Sequence, residues 1–250
     1  IFNNAKHPMI IIGESALQLE SGEYIFEELK NFLSQKKLIS KDWNALNILI
    51  QNASTVGALD LKIINKKNNF DFFNNIKNNK FKILYLLNSD NLKFEKNDEF
   101  VIYQGSHGDR GAEIADVILP SAAYTEENGL YQNLEGRVQE CRKASYPAGQ
   151  ALESWKVLNE LAYAYKKKKL FQSFNTLRDE VLEKIINFDS LNKLPKYKET
   201  SKKTNCEFRN EKIFINPIDY YYSNSVSRAS KVMSECRDIK LRHLKSGTNN

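Results

Sequence analysis

Phe100-Val101-Ile102-Tyr103-Gln104 and, after a glycine-rich stretch, Asp116-Val117-Ile118-Leu119-Pro120 are two short and almost unbroken apolar runs. A strand with one wet face alternates apolar and polar residues. A continuous run calls for burial on both faces, as in parallel sheets covered by helices. The connection between the two runs is too long for a hairpin, which again points to parallel pairing. Working outward, the same texture occurs upstream at Lys82-Ile83-Leu84-Tyr85-Leu86-Leu87-Asn88 and at Pro8-Met9-Ile10-Ile11-Ile12-Gly13. Four such runs, separated by helical stretches or long loops, predict an α/β fold: a mostly parallel twisted sheet flanked by helices, with right-handed crossovers.

Between the runs the apolar period lengthens to that of a helix. Ser21 is placed as an N-cap with Glu23 in the first turn, and Ile25, Phe26, Leu29, Phe32 and Leu33 share a face. A second helix is expected from about Asp42, with Leu46, Leu49, Ile50 and Ala53 inward, and a shorter one over Phe70 to Lys77. After Pro147 one helical face collects Trp155, Leu158, Leu161, Ala162 and Tyr165, and another collects Leu177, Val181, Leu182 and Ile185. Phe188 to Asn210 is polar, Lys-rich and without period, which suits an extended linker over the surface or a partly disordered one. The expected organisation is an α/β domain over 1–150, a helical segment over 151–187 packed on it, and an extended linker and tail over 188–250.

With 41% hydrophobic and 27% charged residues in 250, the chain has the make-up of a globular protein with a sizeable core. Its longest apolar runs, Met9 to Ile12 and Ile83 to Leu87, are far shorter than the ~20 residues of a membrane-spanning helix. A net charge of +6 raises the question of a nucleic-acid partner, but only Lys166 to Lys169 clusters the charge. That run is read as solvated surface, with the neighbouring aromatics as helix-face core. Abundant Lys, Asn, Ile and Phe resemble the residue usage of an AT-rich, organellar gene. Cys141, Cys206 and Cys236 are odd in number and far apart, unlike a disulfide framework or the close pairs of a zinc or iron–sulfur site. A reducing compartment is expected. A start at Ile1, without initiator Met or signal pattern, leads us to expect a portion of something larger.

Several motifs invite chemistry. Gly105, Gly108 and Gly111 follow a strand, where a phosphate loop would sit, but they occupy the first, fourth and seventh places rather than the first, third and sixth; turn-forming glycines are the reading adopted. Ser15 in Gly13-Glu14-Ser15-Ala16-Leu17 resembles a hydrolase elbow, yet Leu17 stands where the second Gly is required. His7, His107 and His243 share no local motif. Asp109, Glu113, Asp116, Glu126, Glu127 and Glu135 are dense enough for acid–base work, but Arg110 and Arg137 in the same stretch favour ion pairs and loop hydrogen bonds. No catalytic, cofactor-binding or metal-ligating residue is expected. A tight turn is expected at Gly136.

The segment from Tyr103 through Gly105-Ser106-His107-Gly108-Asp109-Arg110-Gly111 to Pro120, continuing through Ala123-Tyr124-Thr125-Glu126 to Asn133-Leu134-Glu135-Gly136-Arg137-Val138-Gln139, closely resembles the large iron–sulfur subunit family of respiratory complex I, NADH:ubiquinone oxidoreductase. The parts Ala115 to Pro120, Glu126 and Asn133 to Arg137 are also similar to the wider molybdopterin oxidoreductase superfamily. Lys6 to Gly13, Asp42 to Leu49 and Val226-Ser227-Arg228-Ala229-Ser230 agree with the complex I subunit in particular. The resemblance spans about 1 to 165, fades, and returns at about 213 to 236.

The resemblance implies a molybdopterin-enzyme fold whose pterin site is no longer used, a carboxy-terminal portion of the subunit kept as scaffold. It implies no cofactor in this chain, the iron–sulfur clusters being bound in the amino-terminal part of the subunit or in a partner chain. Expected partners are the other peripheral-arm subunits and that iron–sulfur part, with no nucleic acid and no direct membrane span. The expected location is the matrix side of the mitochondrial inner membrane. Two other readings stand beside it: part of an active molybdopterin enzyme such as a formate dehydrogenase, and a free-standing hydrolase built around Ser15.

Overall fold

The computed structural model describes residues 4–40, 43–63, 71–89, 92, 94–185, 191–195, 206–212 and 219–245. In chain order the first elements are β1 (Ile10–Gly13), α1 (Glu14–Leu17), α2 (Gly22–Gln35), β2 (Leu46–Leu49), α3 (Thr55–Asp60), α4 (Phe72–Lys77), β3 (Ile83–Leu87) and β4 (Phe100–Gly105). There follow α5 (Arg110–Glu113), β5 (Val117–Pro120), β6 (Gly129–Gln132), β7 (Val138–Cys141), α6 (Ser154–Lys166), α7 (Phe174–Lys184), a 3-10 turn at Tyr220–Tyr222, α8 (Ser225–Ala229) and α9 (Lys231–Lys245). Packing gathers them into two units that interleave along the chain. One holds Ile1–Ile64, Leu130–Cys141 and Ser173–Ile215, the other Asn65–Gly129, Arg142–Gln172 and Asn216–Asn250. These units divide the chain differently from the contiguous spans 1–150, 151–187 and 188–250, because packing joins segments distant in sequence.

The first unit is built on a two-stranded parallel sheet in which Ile10 to Gly13 of β1 register with Leu46 to Leu49 of β2. Here the expected helix from Asp42 is corrected. Leu46, Leu49 and Ile50 fall at helical spacing, but they also belong to a short apolar run, and in so short a run periodicity does not separate the two states. Hydrogen bonding to β1 decides for strand: Ile10 N donates to the Ala45 carbonyl at 2.7 Å. Trp43 helps set the register, its ring 4.8 Å from that of His7 and its Nε1 donating to the Pro8 carbonyl at 3.1 Å. Asp42 itself lies outside the described residues, as does Phe70.

α2 packs on β2 through the predicted face, with Leu33 fully buried and Phe32, 40% exposed, at its margin. Its N-cap differs from the expectation. Ser21 occupies the position without capping through its side chain; its Oγ donates to the Arg209 carbonyl at 2.8 Å. The Glu211 carboxylate instead accepts from Glu20 N at 2.9 Å and Ser21 N at 2.8 Å. An acceptor about 190 residues away thus satisfies free amides near the helix start, and with the Ser21–Arg209 bond it fastens residues 209–211 there; of the stretch Phe188 to Asn210, residues 188–190 and 196–205 lie outside the described residues.

In the second unit β3, β4 and β5 form a three-stranded parallel sheet with β4 in the middle. Alternate residues Leu84, Leu86, Val101 and Tyr103 point into one core, closed by Ile76 and Phe72 of α4, by Ala112 of α5 and by Ile114. The α/β class with parallel sheets flanked by helices therefore holds. The runs fall into two sheets rather than one, because β1 takes β2 as its neighbour.

α6 departs from its predicted face. Val157 and Asn159 are buried, while Leu161 and Tyr165, expected inward, are exposed, Tyr165 by 85%. Tyr163 and Tyr165, read as core beside the lysine run, lie at the surface with Lys166 to Lys169. The polar Asn159 was preferred inside because its side chain holds a returning loop, accepting from Leu170 N and Phe171 N and donating to the Phe171 carbonyl. Beyond residue 219 the chain, expected as tail, forms α8 and α9; α8 begins with a capping box made by Asn224 and Ser227. None of the described helices is long and apolar enough to cross a membrane.

Candidate functional site

The glycine-rich segment after β4 is organised by Tyr103. Its ring is buried, and its hydroxyl donates to the His107 carbonyl at 2.8 Å, curling the segment back on its own strand. A Cβ on Gly111 would lie 2.7 Å from that ring and 2.9 Å from the Ser89 carbonyl oxygen, and one on Gly105 would overlap the Tyr103 hydroxyl. Neither glycine has positive φ, and Gly108 has open space around it. The turn-forming reading of these glycines is therefore corrected: two of the three are required for room against an aromatic ring.

At the far end of the segment Asp109 caps α5, accepting from Arg110 N at 2.8 Å, and pairs with Arg228 Nε on α8. Arg228 also donates to the Tyr222 carbonyl at 3.2 Å. Two of the stretches that carried the sequence resemblance, 103–120 and 226–230, are thus joined side chain to side chain across 119 residues. Asp116 accepts from Lys96 Nζ at 2.6 Å and from Val101 N at 2.7 Å; the Lys96 ammonium and that amide hold its carboxyl below the usual range.

Two acids sit at the start of α6. Glu127 accepts from Ser154 N at 2.7 Å and Ser154 Oγ at 3.2 Å; burial pushes its carboxyl up, the Glu153 charge adds to that, and the two bonds offset part of it. For Glu153 burial also works against ionisation, but donors from Trp155 at 3.0 Å, Lys143 at 3.0 Å and Lys156 at 3.2 Å outweigh it and hold the carboxyl low. Acids pushed in opposite directions can serve as an acid–base pair. Here all four carboxylate oxygens already have donors, so the arrangement is a clamp on the helix start. Buried Gln104 completes it, donating to the Ser154 carbonyl at 3.0 Å and accepting from the Tyr85 hydroxyl at 2.6 Å. Sequence reasoning missed Glu153; the signal that could have found it was an acid directly before a helix with Lys156 one turn on.

The remaining candidates are accounted for singly. Glu126 accepts from Ala123 N at 3.0 Å, Glu135 lies 3.8 Å from Arg137, and Glu113 is exposed. Gly136 ends a turn in which its N–H donates to the Asn133 carbonyl at 2.9 Å, and its φ of +83° is one that glycine adopts without strain; the turn expected there is present. Asn133 Oδ1 braces the turn by accepting from Glu135 N and Arg137 N. Ser15 is exposed within the first turn of α1, after a Gly13 in ordinary extended conformation, so the strained elbow of a hydrolase is not formed. His107 Nδ1 lies 2.9 Å from Ser106 Oγ, the His7 ring lies tilted against that of Trp43, and the His243 side chain is outside the described residues. A cavity of about 250 Å³ opens between the end of β2 and the β6–β7 loop, lined chiefly by Leu49, Ile50, Val56, Tyr131 and Leu134.

The chain belongs to the molybdopterin oxidoreductase family, whose pattern matches residues 1–164. Within that class it is similar, at 37% identity over 94% of its length, to the NADH-ubiquinone oxidoreductase 75 kDa subunit of Reclinomonas americana. It is 35% identical over 96% of its length to a subunit of the NADH-quinone oxidoreductase of Rickettsia typhi, and 34% identical over 93% to the mitochondrial 78 kDa subunit of the Candida albicans NADH-ubiquinone oxidoreductase. It covers 34%, 34% and 33% of those proteins, so it spans about a third of the length of the curated relatives it matches.

The family name implies a pterin cofactor, whose phosphate would need backbone N–H groups laid open at glycines. In this chain Gly105 and Gly111 lie against the Tyr103 ring, and Asp109, Asp116, Glu127 and Glu153 are engaged with Arg228, Lys96, Ser154 and Lys143. Among the described residues no three His, Cys, Asp or Glu side chains gather as a metal-ligand set. These glycines and acids are thus engaged within the chain itself, and no chemistry is routed through them.

Proposed function

We propose that this chain is the molybdopterin oxidoreductase-like, carboxy-terminal portion of the large iron–sulfur subunit of respiratory complex I, and that it serves as scaffold in the peripheral arm rather than as a redox centre. In this reading it supports electron transfer from NADH to ubiquinone on the matrix side of the mitochondrial inner membrane. It packs against the other arm subunits and the iron–sulfur part of its own subunit, where the clusters are held. The observation that carries the reading is the segment 103–120, closed on Tyr103 and tied to α8 by Asp109 and Arg228, in a chain similar along most of its length to NADH-quinone oxidoreductase subunits. Such bonding suits a segment that organises a fold.

The test is purification of NADH:quinone reductase activity from membranes through an affinity tag on this chain, followed by metal and pterin analysis of the separated polypeptide. Co-purification in a fixed ratio, with iron retained only elsewhere in the complex, is the expected result. Stoichiometric iron or molybdenum on this polypeptide, or a pterin released on denaturation, would reject it and favour the formate dehydrogenase-type alternative.

A further inference from the structure

Helix α6 is held at one end only. Its start is gripped by Glu127 on Ser154 and by Glu153 on Lys143 and Lys156, and Val157 and Asn159 are buried just beyond. From Glu160 to Leu170 every residue is exposed except the half-buried Ala162. Half-buried Leu158, Leu161 at 44% exposure and Tyr165 at 85% follow one another at intervals of three and four residues, so they form one apolar stripe along the helix, flanked by Ala162 and Ala164. This is the face that the apolar period marks as inward, and the chain itself leaves it uncovered.

At the end of the stripe stand Lys166 to Lys169, all exposed. Lys169 pairs with Glu160 at 3.1 Å; among the described residues no carboxylate pairs with the other three. The tip is fixed in shape. Lys167 closes α6 in the left-handed conformation, with φ +56° and its N–H donating to the Tyr163 carbonyl at 2.8 Å, and Asn159 pins the returning chain at Leu170 and Phe171.

We infer that the C-terminal half of α6 seats in an apolar groove on another subunit of the assembly, with Leu161 and Tyr165 as anchors and acidic side chains at the end of the groove receiving the lysines. A helix that docks in a groove does so through anchors spaced three, four and seven residues apart, which is the spacing of Leu158, Leu161 and Tyr165. The placement of charge selects a protein as the occupant. A helix lying in a membrane surface carries its lysines along the polar face, whereas here they stand past the end of the stripe and alanines line its sides. A nucleic acid would take the lysines and leave the leucines uncovered. Because the tip is already ordered, docking costs little further entropy. The inference deepens the functional reading and rests on it.

A photo-crosslinking amino acid placed at Leu161 in the assembled complex tests it, with the same residue at exposed Asp98 as control. The expected result is a crosslink to another subunit, several-fold above the control and mapped by mass spectrometry to a segment that carries Asp or Glu. A crosslink to lipid, to nucleic acid or to a second copy of this chain, a mapped segment without acids, or labelling no stronger than the control would overturn it. Lys166→Glu combined with Lys168→Glu should lower the amount of this chain retained in the complex several-fold, and Lys166→Arg combined with Lys168→Arg should not; equal retention of the two pairs also overturns it. A wild-type chain that fails to co-purify with NADH dehydrogenase activity sinks the functional reading instead, and the inference falls with it.

Discussion

The two parallel sheets are made of the same material and reach different degrees of burial. Val101 and Tyr103 of β4 are essentially inaccessible, held between β3 and β5 and under α4 and α5, whereas no residue of β1 or β2 is fully buried although both strands are rich in Ile and Leu. The difference lies in the neighbours. β4 has a partner on each edge and helices over one face; among the described residues β1 and β2 have only each other and the helices packed on their inner side. An apolar run therefore states a demand for burial, and whether this chain alone meets it depends on how many elements converge there.

The contrast breaks most visibly at its centre. Tyr103→Ala removes a ring that the segment 105–111 is wrapped around, and should cost about 3–5 kcal/mol in denaturant unfolding, whereas Ile11→Ala should cost less than about 0.5 kcal/mol. Equal costs would mean that β1–β2 is as well packed as β3–β5. Next in size, Gly111→Ala should destabilise by about 1–3 kcal/mol, since the ring or the Ser89 backbone must move. Gly108→Ala, with nothing near, should be neutral within about 0.5 kcal/mol. A similar loss at both positions would restore the turn explanation of these glycines.

Arg228→Ala should cost about 1–3 kcal/mol, because it leaves the partly buried Asp109 without its charged donor. Amide exchange should then quicken in α8 and in 106–110 together, while exchange in β1–β2 stays unchanged. A double-mutant cycle with Asp109→Ala measures the pair itself.

The smallest effects are expected in the pH profile of the second unit. The folded-state carboxyl of Glu153 is held low, so its contribution is present above the unfolded value and lost as pH falls through the folded one; Glu127 is pushed up, so its cost at neutral pH is relieved as pH falls. Glu153→Gln should destabilise at neutral pH and flatten the acid-side loss of stability. Glu127→Gln should be nearly neutral there and should steepen that loss. Unfolding midpoints between about pH 7 and pH 3 decide, and identical profiles for the two variants would contradict the opposed shifts.

The strands β1, β3, β4 and β5, the turn at Gly136 and the helix α2 were legible in the sequence, because each rests on a local signal: an unbroken apolar run, a glycine after an Asx turn, a 3.6-residue period. β2 was misread as helix, because a short apolar run satisfies both periods until a neighbouring strand supplies hydrogen bonds. The inward face of α6 was misread because Asn159 is buried for the loop it holds, an interaction with no trace in periodicity. The resemblance named the family correctly. It did not show that Gly105 and Gly111 serve Tyr103, or that Arg228 reaches Asp109.

What the sequence determined by itself, then, was the class of fold, its apolar strands and its kinship, since these depend on residue type and spacing along the chain. What only the tertiary structure decided was which strands pair, which polar groups are held and which apolar face is left open. Each of these depends on groups far apart in the chain meeting at hydrogen-bond or van der Waals distance, and a linear pattern carries no record of that.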